Sequence, residues 1–228
     1  MPGHFTFYCN KIDGDLAQFD DTEAKHVLQV LRYGIGDEIF FTDGAGHRFR
    51  GVIIQGNKQG FQARIEERKM VPKPVELHVC VAILKSGDRM EWAVEKCTEL
   101  GVSSVVFFPS DNGERGKVNL QRMQKVAIAA MKQSHGAWLP NLSQSNFSDV
   151  LLGGGDMRKY MAYCGDSEKV NIAGVTLPAS ILIGPEGDFS PRELMLATES
   201  GWIPLDLGSQ ILRTETAMIA ISAALRLR

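Results

Sequence analysis

Two stretches decide the reading of the chain: Ala179-Ser-Ile-Leu-Ile-Gly-Pro-Glu-Gly-Asp-Phe-Ser-Pro-Arg-Glu193 and Leu207-Gly-Ser-Gln-Ile-Leu-Arg-Thr-Glu-Thr-Ala217. Each has the order strand, sharp loop, helix. In the first, Ile181 to Ile183 is a short buried-strand run and Gly184 to Gly187 predicts a tight turn. Ser190 and Glu193 then form a capping box with Pro191 at the first helical position. In the second, Gly208 ends a strand and Thr214 is a candidate cap. The run from Ala217 to Leu225 is apolar apart from Ser222, which predicts a helix buried on most sides. Glycine allows close backbone approach, so main-chain groups of the two loops can read a heterocycle edge while Ile211 and Leu212 sandwich its ring. Either loop seen singly is an ordinary turn.

Working outward, residues 76 to 228 alternate strand and helix. Strands are expected at Glu76 to Leu84, Val102 to Phe108, Tyr160 to Cys164, Ser180 to Ile183 and Ile203 to Leu207. Helices are expected at Asp88 to Leu100, Leu120 to Ser134, Pro191 to Ser200 and Glu215 to Leu225. This alternation predicts an α/β fold with a mainly parallel sheet covered on both faces. On the first helix Met90, Ala93, Val94, Cys97 and Leu100 form the inward face. Gly153-Gly-Gly155 reads as a loop.

Residues 1 to about 70 read as a compact β-barrel with one helix, on which Ala24, Val27, Leu28 and Leu31 share a face and Gly34 is the stop. Glu38 to Thr42 and His47 to Ile54 flank the hairpin signal Asp43-Gly-Ala-Gly46, and Phe61 to Ile65 follows the turn Asn57-Lys-Gln-Gly60. Val71-Pro-Lys-Pro74 is the linker candidate, giving domains 1–71 and 75–228.

The 228 residues carry a net charge of -2, so a nucleic-acid partner must be met by local patches. Residues 1 to 43 hold three basic and eight acidic side chains, whereas residues 44 to 73 hold seven basic (Arg48, Arg50, Lys58, Arg64, Arg68, Lys69, Lys73) and two acidic. From Arg115 to His135 there are five basic residues and no acidic one, and Arg122, Lys125 and Lys132 share a helical face suited to a phosphate backbone. Solvated basic surface is the plain alternative for both patches. Cys9, Cys80, Cys97 and Cys164 form no CxxC pair, which fits a reducing, cytoplasmic compartment. The start Met1-Pro-Gly-His-Phe-Thr6 has no signal-peptide pattern, and no apolar run reaches membrane-spanning length. P-loop, GxGxxG, HExxH, zinc-ligand and GxSxG patterns are all missing, so no metal site is expected.

Ile183-Gly-Pro-Glu-Gly-Asp-Phe-Ser190 together with Leu207-Gly and Leu212-Arg-Thr-Glu-Thr-Ala217 resembles the paired signature of RsmE-type rRNA methyltransferases of the SPOUT, or α/β-knot, superfamily. The resemblance extends to His26-Val-Leu-Gln-Val-Leu-Arg32 and Gly36-Asp-Glu-Ile39, which are similar to the family's N-terminal PUA-like RNA-binding barrel. Lys85, Arg89, Glu91, Trp92, Lys96 and Glu99-Leu-Gly101 resemble its first catalytic-domain helix, and Met131-Lys-Gln-Ser134 with Leu139-Pro140 a later helix end. It implies a trefoil knot, a homodimer and methylation of a uridine N3 in 16S rRNA by S-adenosylmethionine bound between the two loops. The implied cofactor contacts are Leu84, Gly165, Ile183, Gly184, Pro185, Glu186 and Gly187 from the first half. From the second they are Leu207, Gly208, Ile211, Leu212, Thr216 and Ala217.

Arg213 and Glu215 are the candidate catalytic pair, the first to stabilise charge on the base and the second to orient it or accept a proton; bracing of the loop is the competing role. Arg48, Arg50, Arg64, Lys85, Arg89, Arg115, Lys117, Arg122, Lys125 and Lys132 are the candidate RNA contacts. Two departures stand out. The arginine usual at Gln210 or Ile211 is missing, and His135-Gly136 follows Gln133-Ser134 where many members have arginine. The same fold acting on another rRNA or tRNA nucleotide, or a non-catalytic RNA-binding protein, are the alternative readings.

Overall fold

The computed structural model describes residues 6–57, 59–165 and 168–227; Lys58 and the first five residues, on which two of the expectations above partly rest, lie outside them. The chain divides into two compact units, residues 1–73 with 128–139, and residues 74–127 with 140–228.

The first unit is a six-stranded sheet in the order β1-β4-β5-β6-β3-β2. Its strands are β1 (Thr6–Tyr8), β2 (Ile12–Asp13), β3 (Leu16–Phe19), β4 (Glu38–Thr42), β5 (His47–Asn57) and β6 (Gly60–Met70). Strict alternation in β4 and β5 sends Ile39, Phe41, Phe49 and Ile53 into one core with Phe7, Phe19 and Phe61. Phe19 stacks on Phe61 with ring centroids 4.2 Å apart, and Phe41 on Phe49 at 4.8 Å. Side chains from five strands thus close on one cluster, as expected of a barrel. The Asp43 carboxylate accepts from Ala45 N at 2.8 Å and His47 N at 3.0 Å, which shapes the β4–β5 hairpin.

The expected helix is split: α1 (Asp21–Ala24) runs into a π-helical turn at Lys25–Val30. Arg32 at φ 61°, not Gly34, takes the left-handed conformation after it. The extra residue in that turn still leaves Ala24 and Val27 buried and Leu28 and Leu31 packed on the same core.

In the second unit seven strands form one sheet in the order β11-β13-β10-β12-β7-β8-β9, and every pairing is parallel. The strands are β7 (Leu77–Ala82), β8 (Ser104–Phe108), β9 (Asn141–Gln144), β10 (Arg158–Ala162), β11 (Val170–Asn171), β12 (Ala179–Ile183) and β13 (Ile203–Asp206). The helices are α2 (Gly87–Glu99), α3 (Leu120–Gln133), α4 (Phe147–Leu152), α5 (Pro191–Glu199) and α6 (Thr214–Arg226), with α3 shared between the two units. The five expected strands and four expected helices are all present. β9 and β11 carry too few apolar residues to be seen in the sequence, and α4, at six residues, is too short for helical spacing to be read.

Every residue of β12 is buried, as a central parallel strand requires. Leu182 joins the cluster built by Val150 and Leu151 of α4 and Ala197 of α5, which leaves Ile181 and Ile183 to the opposite face, where α6 lies against β7 and β12. The inward face of α2 is Met90, Ala93, Val94 and Cys97, with Thr98 taking the place expected for the half-exposed Leu100. α6 departs from its expected burial. Ala217, Met218, Ile221, Ser222 and Leu225 are buried, but Thr216, Ala220 and Ala224 form an exposed stripe of small residues.

Candidate functional site

β12 and β13 flank β10, and the chain leaves them in opposite directions across the sheet, so a crevice opens at the carboxyl ends of these three strands. Ala162, Ile183 and Leu205 form its floor, in a cavity of about 180 Å³. Its walls are the two loops singled out in the sequence.

The first loop is fixed from many directions. Ser190 and Glu193 make the expected capping box with Pro191 at the helix start. Glu193 is only 2 % exposed, yet its carboxylate accepts from Ser190 N at 2.9 Å, Ser110 Oγ at 3.1 Å and Asp111 N at 3.0 Å. Three donors offset the cost of burying it. Asn112 Nδ2 donates to the carbonyls of Gly187 and Asp188 at 3.3 and 3.1 Å. The left-handed residue of the loop is Asp188, at φ 57°, and not a glycine. Its carboxylate accepts from Phe189 N at 2.8 Å and from Cys164 N at 3.1 Å, tying the loop to the end of β10. Gly184 is closely packed: a Cβ there would lie 3.0 Å from the Phe189 ring, which would have to shift to admit it.

The second loop is held at its ends. Gly208, at φ 104°, donates its N–H to Asp206 Oδ1 at 3.0 Å. Thr214 does not cap α6, whose N-cap is Arg213 without a side-chain bond. Instead Thr214 Oγ1 donates to the Gly184 carbonyl at 2.9 Å and joins the two walls. Between these anchors no N–H of Ser209 to Leu212 donates to another described residue, and Ile211 is 84 % exposed. Open main-chain donors beside an exposed apolar side chain are the surface that a planar, polar-edged ligand requires.

Of the residues implied as cofactor contacts, Ile183, Gly184, Pro185 and Glu186 line this cavity from the first loop. Leu207, Gly208, Ile211, Leu212 and Ala217 line it from the second. Leu84 and Gly187 instead line a second cavity of about 460 Å³, which shares Pro185 and Glu186 with the first and is bordered by Lys85, Arg89 and Asn112. Gly165 and the exposed Thr216 line neither. Asp188 and Asn112 went unnoticed in the sequence, although Asp188 stands inside the quoted motif, and Thr214 was expected only as a cap.

Arg213 is exposed at the mouth of α6, whereas Glu215 is buried. Glu215 Oε1 lies 3.6 Å from Arg89 Nε, and Oε2 has no hydrogen-bond partner. Arg89 also donates to Glu186 Oε1 at 2.6 Å, so one guanidinium touches the first loop and the start of α6.

The candidate RNA contacts are less uniform than a stripe. Lys132 is ion-paired to the buried Glu23, and Arg122 makes a bidentate pair with Glu91 at 2.9 and 2.7 Å. That pairing raises the guanidinium pKa and lowers the carboxyl pKa. Arg50 lies between Glu38 at 2.8 Å and Glu67 at 3.3 Å, and Arg64 bonds Glu66 at 3.0 Å. Arg115, Lys117 and Lys125 are exposed. Among the described residues no cluster of His, Cys, Asp or Glu has the arrangement of a metal site, and no helix is long and apolar enough to cross a membrane.

A parallel sheet with two such loops at its carboxyl edge, in a chain that also carries a small β-rich unit, defines a class. Residues 71–226 match the RNA methyltransferase domain, and residues 19–66 match the RNA methyltransferase PUA domain. The chain belongs to the ribosomal RNA small subunit methyltransferase E family, as the loop signature implied. The Synechocystis member is 30 % identical over 216 residues, covering 86 % of this chain and 68 % of that one. Among solved structures, a probable rRNA-methyltransferase from Porphyromonas gingivalis is 34 % identical with a TM-score of 0.86, covering 96 % of this chain and 95 % of that one. The Neisseria gonorrhoeae ribosomal RNA small subunit methyltransferase E, bound to S-adenosyl methionine, is 27 % identical with a TM-score of 0.84 and covers 97 % of this chain and 96 % of that one.

Proposed function

We propose that the protein methylates uridine N3 in 16S rRNA, using S-adenosylmethionine bound between the two loops. The observation that carries this is the cavity at the ends of β10, β12 and β13, walled by one rigid loop and one loop with open main-chain donors. Those donors and the exposed Ile211 fit an adenine ring and its polar edge, and the turn around Gly184 fits close backbone approach. When bound, the cofactor supplies an electrophilic methyl group on a sulfonium, ready for in-line displacement.

The residues of this chain align the base, exclude water and manage its proton. Arg213, exposed and unengaged at the N-terminus of α6, stabilises negative charge as it develops on the uracil. Glu215 Oε2, buried and without a partner, accepts the N3 proton while Arg89 steadies the other oxygen. The 460 Å³ cavity holds the splayed base between Lys85, Arg89 and the first loop. Residues 1–71 form the RNA-holding domain and 75–228 the methyl-transfer domain. The knot, with the C-terminal segment passing through a loop, is part of this reading. So is a cytoplasmic homodimer, in which the exposed Thr216, Ala220 and Ala224 stripe of α6 is covered by a second copy.

The test combines calorimetry with nucleoside mapping. Gly184→Val forces γ-carbons against Phe189, an overpacking of roughly 1–3 kcal/mol, and should weaken cofactor binding about tenfold or more. Undiminished binding by the folded variant would remove the cofactor from this cavity. Glu215→Gln should abolish methyl transfer to small subunits with cofactor affinity intact; retained turnover would leave Glu215 only a brace for Arg89. A deletion strain should lose N3-methyluridine from 16S rRNA, and loss of a different nucleoside would reject the target.

A further inference from the structure

The cavity at the ends of β10, β12 and β13 carries charges that neither the two loops nor the methyl-transfer residues account for. Four charged side chains border it: Glu186, Asp188, Lys169 and Asp206. Two of them are committed. Glu186 is held by Arg89 at 2.6 Å, and both Asp188 oxygens accept from main-chain N–H groups, those of Cys164 and Phe189.

The other two belong to neighbouring strands. β11 runs parallel to β13 with Val170 opposite Leu205 and Asn171 opposite Asp206, so Lys169 precedes β11 and Asp206 closes β13 along one edge of the cavity. Asp206 Oδ1 accepts from Gly208 N at 3.0 Å, and Oδ2 has no bond to any described residue. Lys169 Nζ lies 5.2 Å from the centroid of the Tyr163 ring and has no carboxylate partner among the described residues. Gly165 makes room for that ring, since a Cβ there would collide with it. Burial and the Asp188 carboxylate raise the Cys164 thiol pKa and Lys169 opposes them, so the lysine charge is felt inside the cavity. Lys169 and Asp206 are both half-buried, yet they do not pair with each other. Opposite charges on one wall with a gap between them suit a ligand group that carries both signs.

We propose that Lys169 and Asp206 bracket the zwitterionic amino-acid end of the cofactor, Lys169 taking the α-carboxylate and Asp206 Oδ2 the α-ammonium. This rests on the cofactor placement proposed above. The α-carboxylate is the only anion in S-adenosylmethionine, and a lysine withdrawn from bulk water gains more from it than from the neutral acceptors of adenine and ribose. The second loop carries no charged side chain between Gly208 and Leu212, so its open N–H groups remain for the adenine edge. The strand edge then fixes the tail and the loops fix the nucleoside. The sulfonium methyl lies between these two halves of the molecule and is aligned from both ends.

Calorimetry on the full chain tests this with three ligands: S-adenosylmethionine, its decarboxylated form, which keeps the amine, and methylthioadenosine, which lacks the amino-acid end. Lys169→Met should weaken S-adenosylmethionine about tenfold and leave the other two unchanged, and Lys169→Arg should restore most of the affinity. Asp206→Asn keeps the acceptor for Gly208 N–H. It should weaken S-adenosylmethionine and the decarboxylated form about tenfold and spare methylthioadenosine. The Lys169-dependent factor should shrink as salt is raised. Undiminished binding of S-adenosylmethionine by either folded variant overturns the proposal. So does an equal loss for methylthioadenosine, which would make the two residues supports of the cavity and not readers of the tail. The two readings fail separately: tail-dependent binding without methyl transfer to small subunits rejects the function and keeps the bracket, and methyl transfer with the KM for cofactor unaltered in both variants does the reverse.

Discussion

The two walls of the cofactor cavity are built on opposite principles. The first, Gly184 to Phe189, is tied down by Glu193, Asn112, Asp188 and Thr214, each making bonds that leave few main-chain groups open. The second, Gly208 to Leu212, is pinned at Gly208 and Thr214 and otherwise offers unpaired N–H groups and an exposed isoleucine. A site assembled this way keeps one face preorganised and leaves the other to be completed by its ligand. The rigid wall sets position, and the open wall supplies the recognition.

Removing the centre of the rigid wall should have the largest effect. Glu193→Ala strands the donors of Ser190, Ser110 and Asp111, two of them main-chain. A loss of roughly 3 kcal/mol in unfolding free energy is expected, measured by urea denaturation, together with cofactor binding too weak for calorimetry. A loss below about 1 kcal/mol would mean that water replaces the carboxylate and that the wall is less preorganised than its bonds imply. Thr214→Val keeps the shape but deletes the link from α6 to the Gly184 carbonyl. It should cost about 1–2 kcal/mol and weaken cofactor binding, because it separates the two walls without damaging either.

The same contrast explains what was legible in the sequence. The capping box, Pro191 and the apolar run of β12 are local signals, and they located the first wall and α5 within a residue or two. The strand and helix alternation likewise gave the parallel sheet. Thr214 was misread as a cap because capping is the local role open to a threonine before a helix, whereas its actual acceptor is 30 residues away. Asp188 was invisible for a related reason: glycines on both sides made it natural to assign the tight turn to them. Neither strand order nor the ion pairs of Arg122 and Lys132 can be read from helical spacing. The basic stripe was therefore sound as a pattern of charge, but it did not show which charges are already paired. Burial of α6 was overestimated since an apolar run does not say whether its second face meets this chain or another copy.

The open wall should respond to substitution without loss of stability. Ile211 is almost fully exposed, so Ile211→Ala should leave the melting temperature unchanged and weaken cofactor binding by about 1–2 kcal/mol, roughly five- to thirtyfold. Amide exchange gives the complementary reading. The N–H groups of Ser209 to Leu212 should exchange quickly in the free protein and slow on addition of cofactor, while those of β12 stay protected throughout. Equal protection of both walls before addition would break the contrast.

The smallest effect is chemical and probes the junction of the two walls. Cys164 lines the cavity, is exposed, and has its N–H held by Asp188. Partial desolvation, reinforced by the Asp188 carboxylate, raises its thiol pKa above the ordinary value. Cys80 and Cys97 are pushed up to about 11 by burial, and Cys9 is raised for the same reason. Only the thiolate reacts, so a raised pKa means less reactive sulfur at a given pH. Alkylation at pH 8 should modify Cys164 alone, more slowly than free cysteine, and accelerate about tenfold per pH unit until that pKa is passed. Cofactor should slow the reaction by covering the thiol, whereas a ligand held only by the second wall would leave its rate unchanged. Protection of Cys164 therefore reports that both walls are engaged by one molecule.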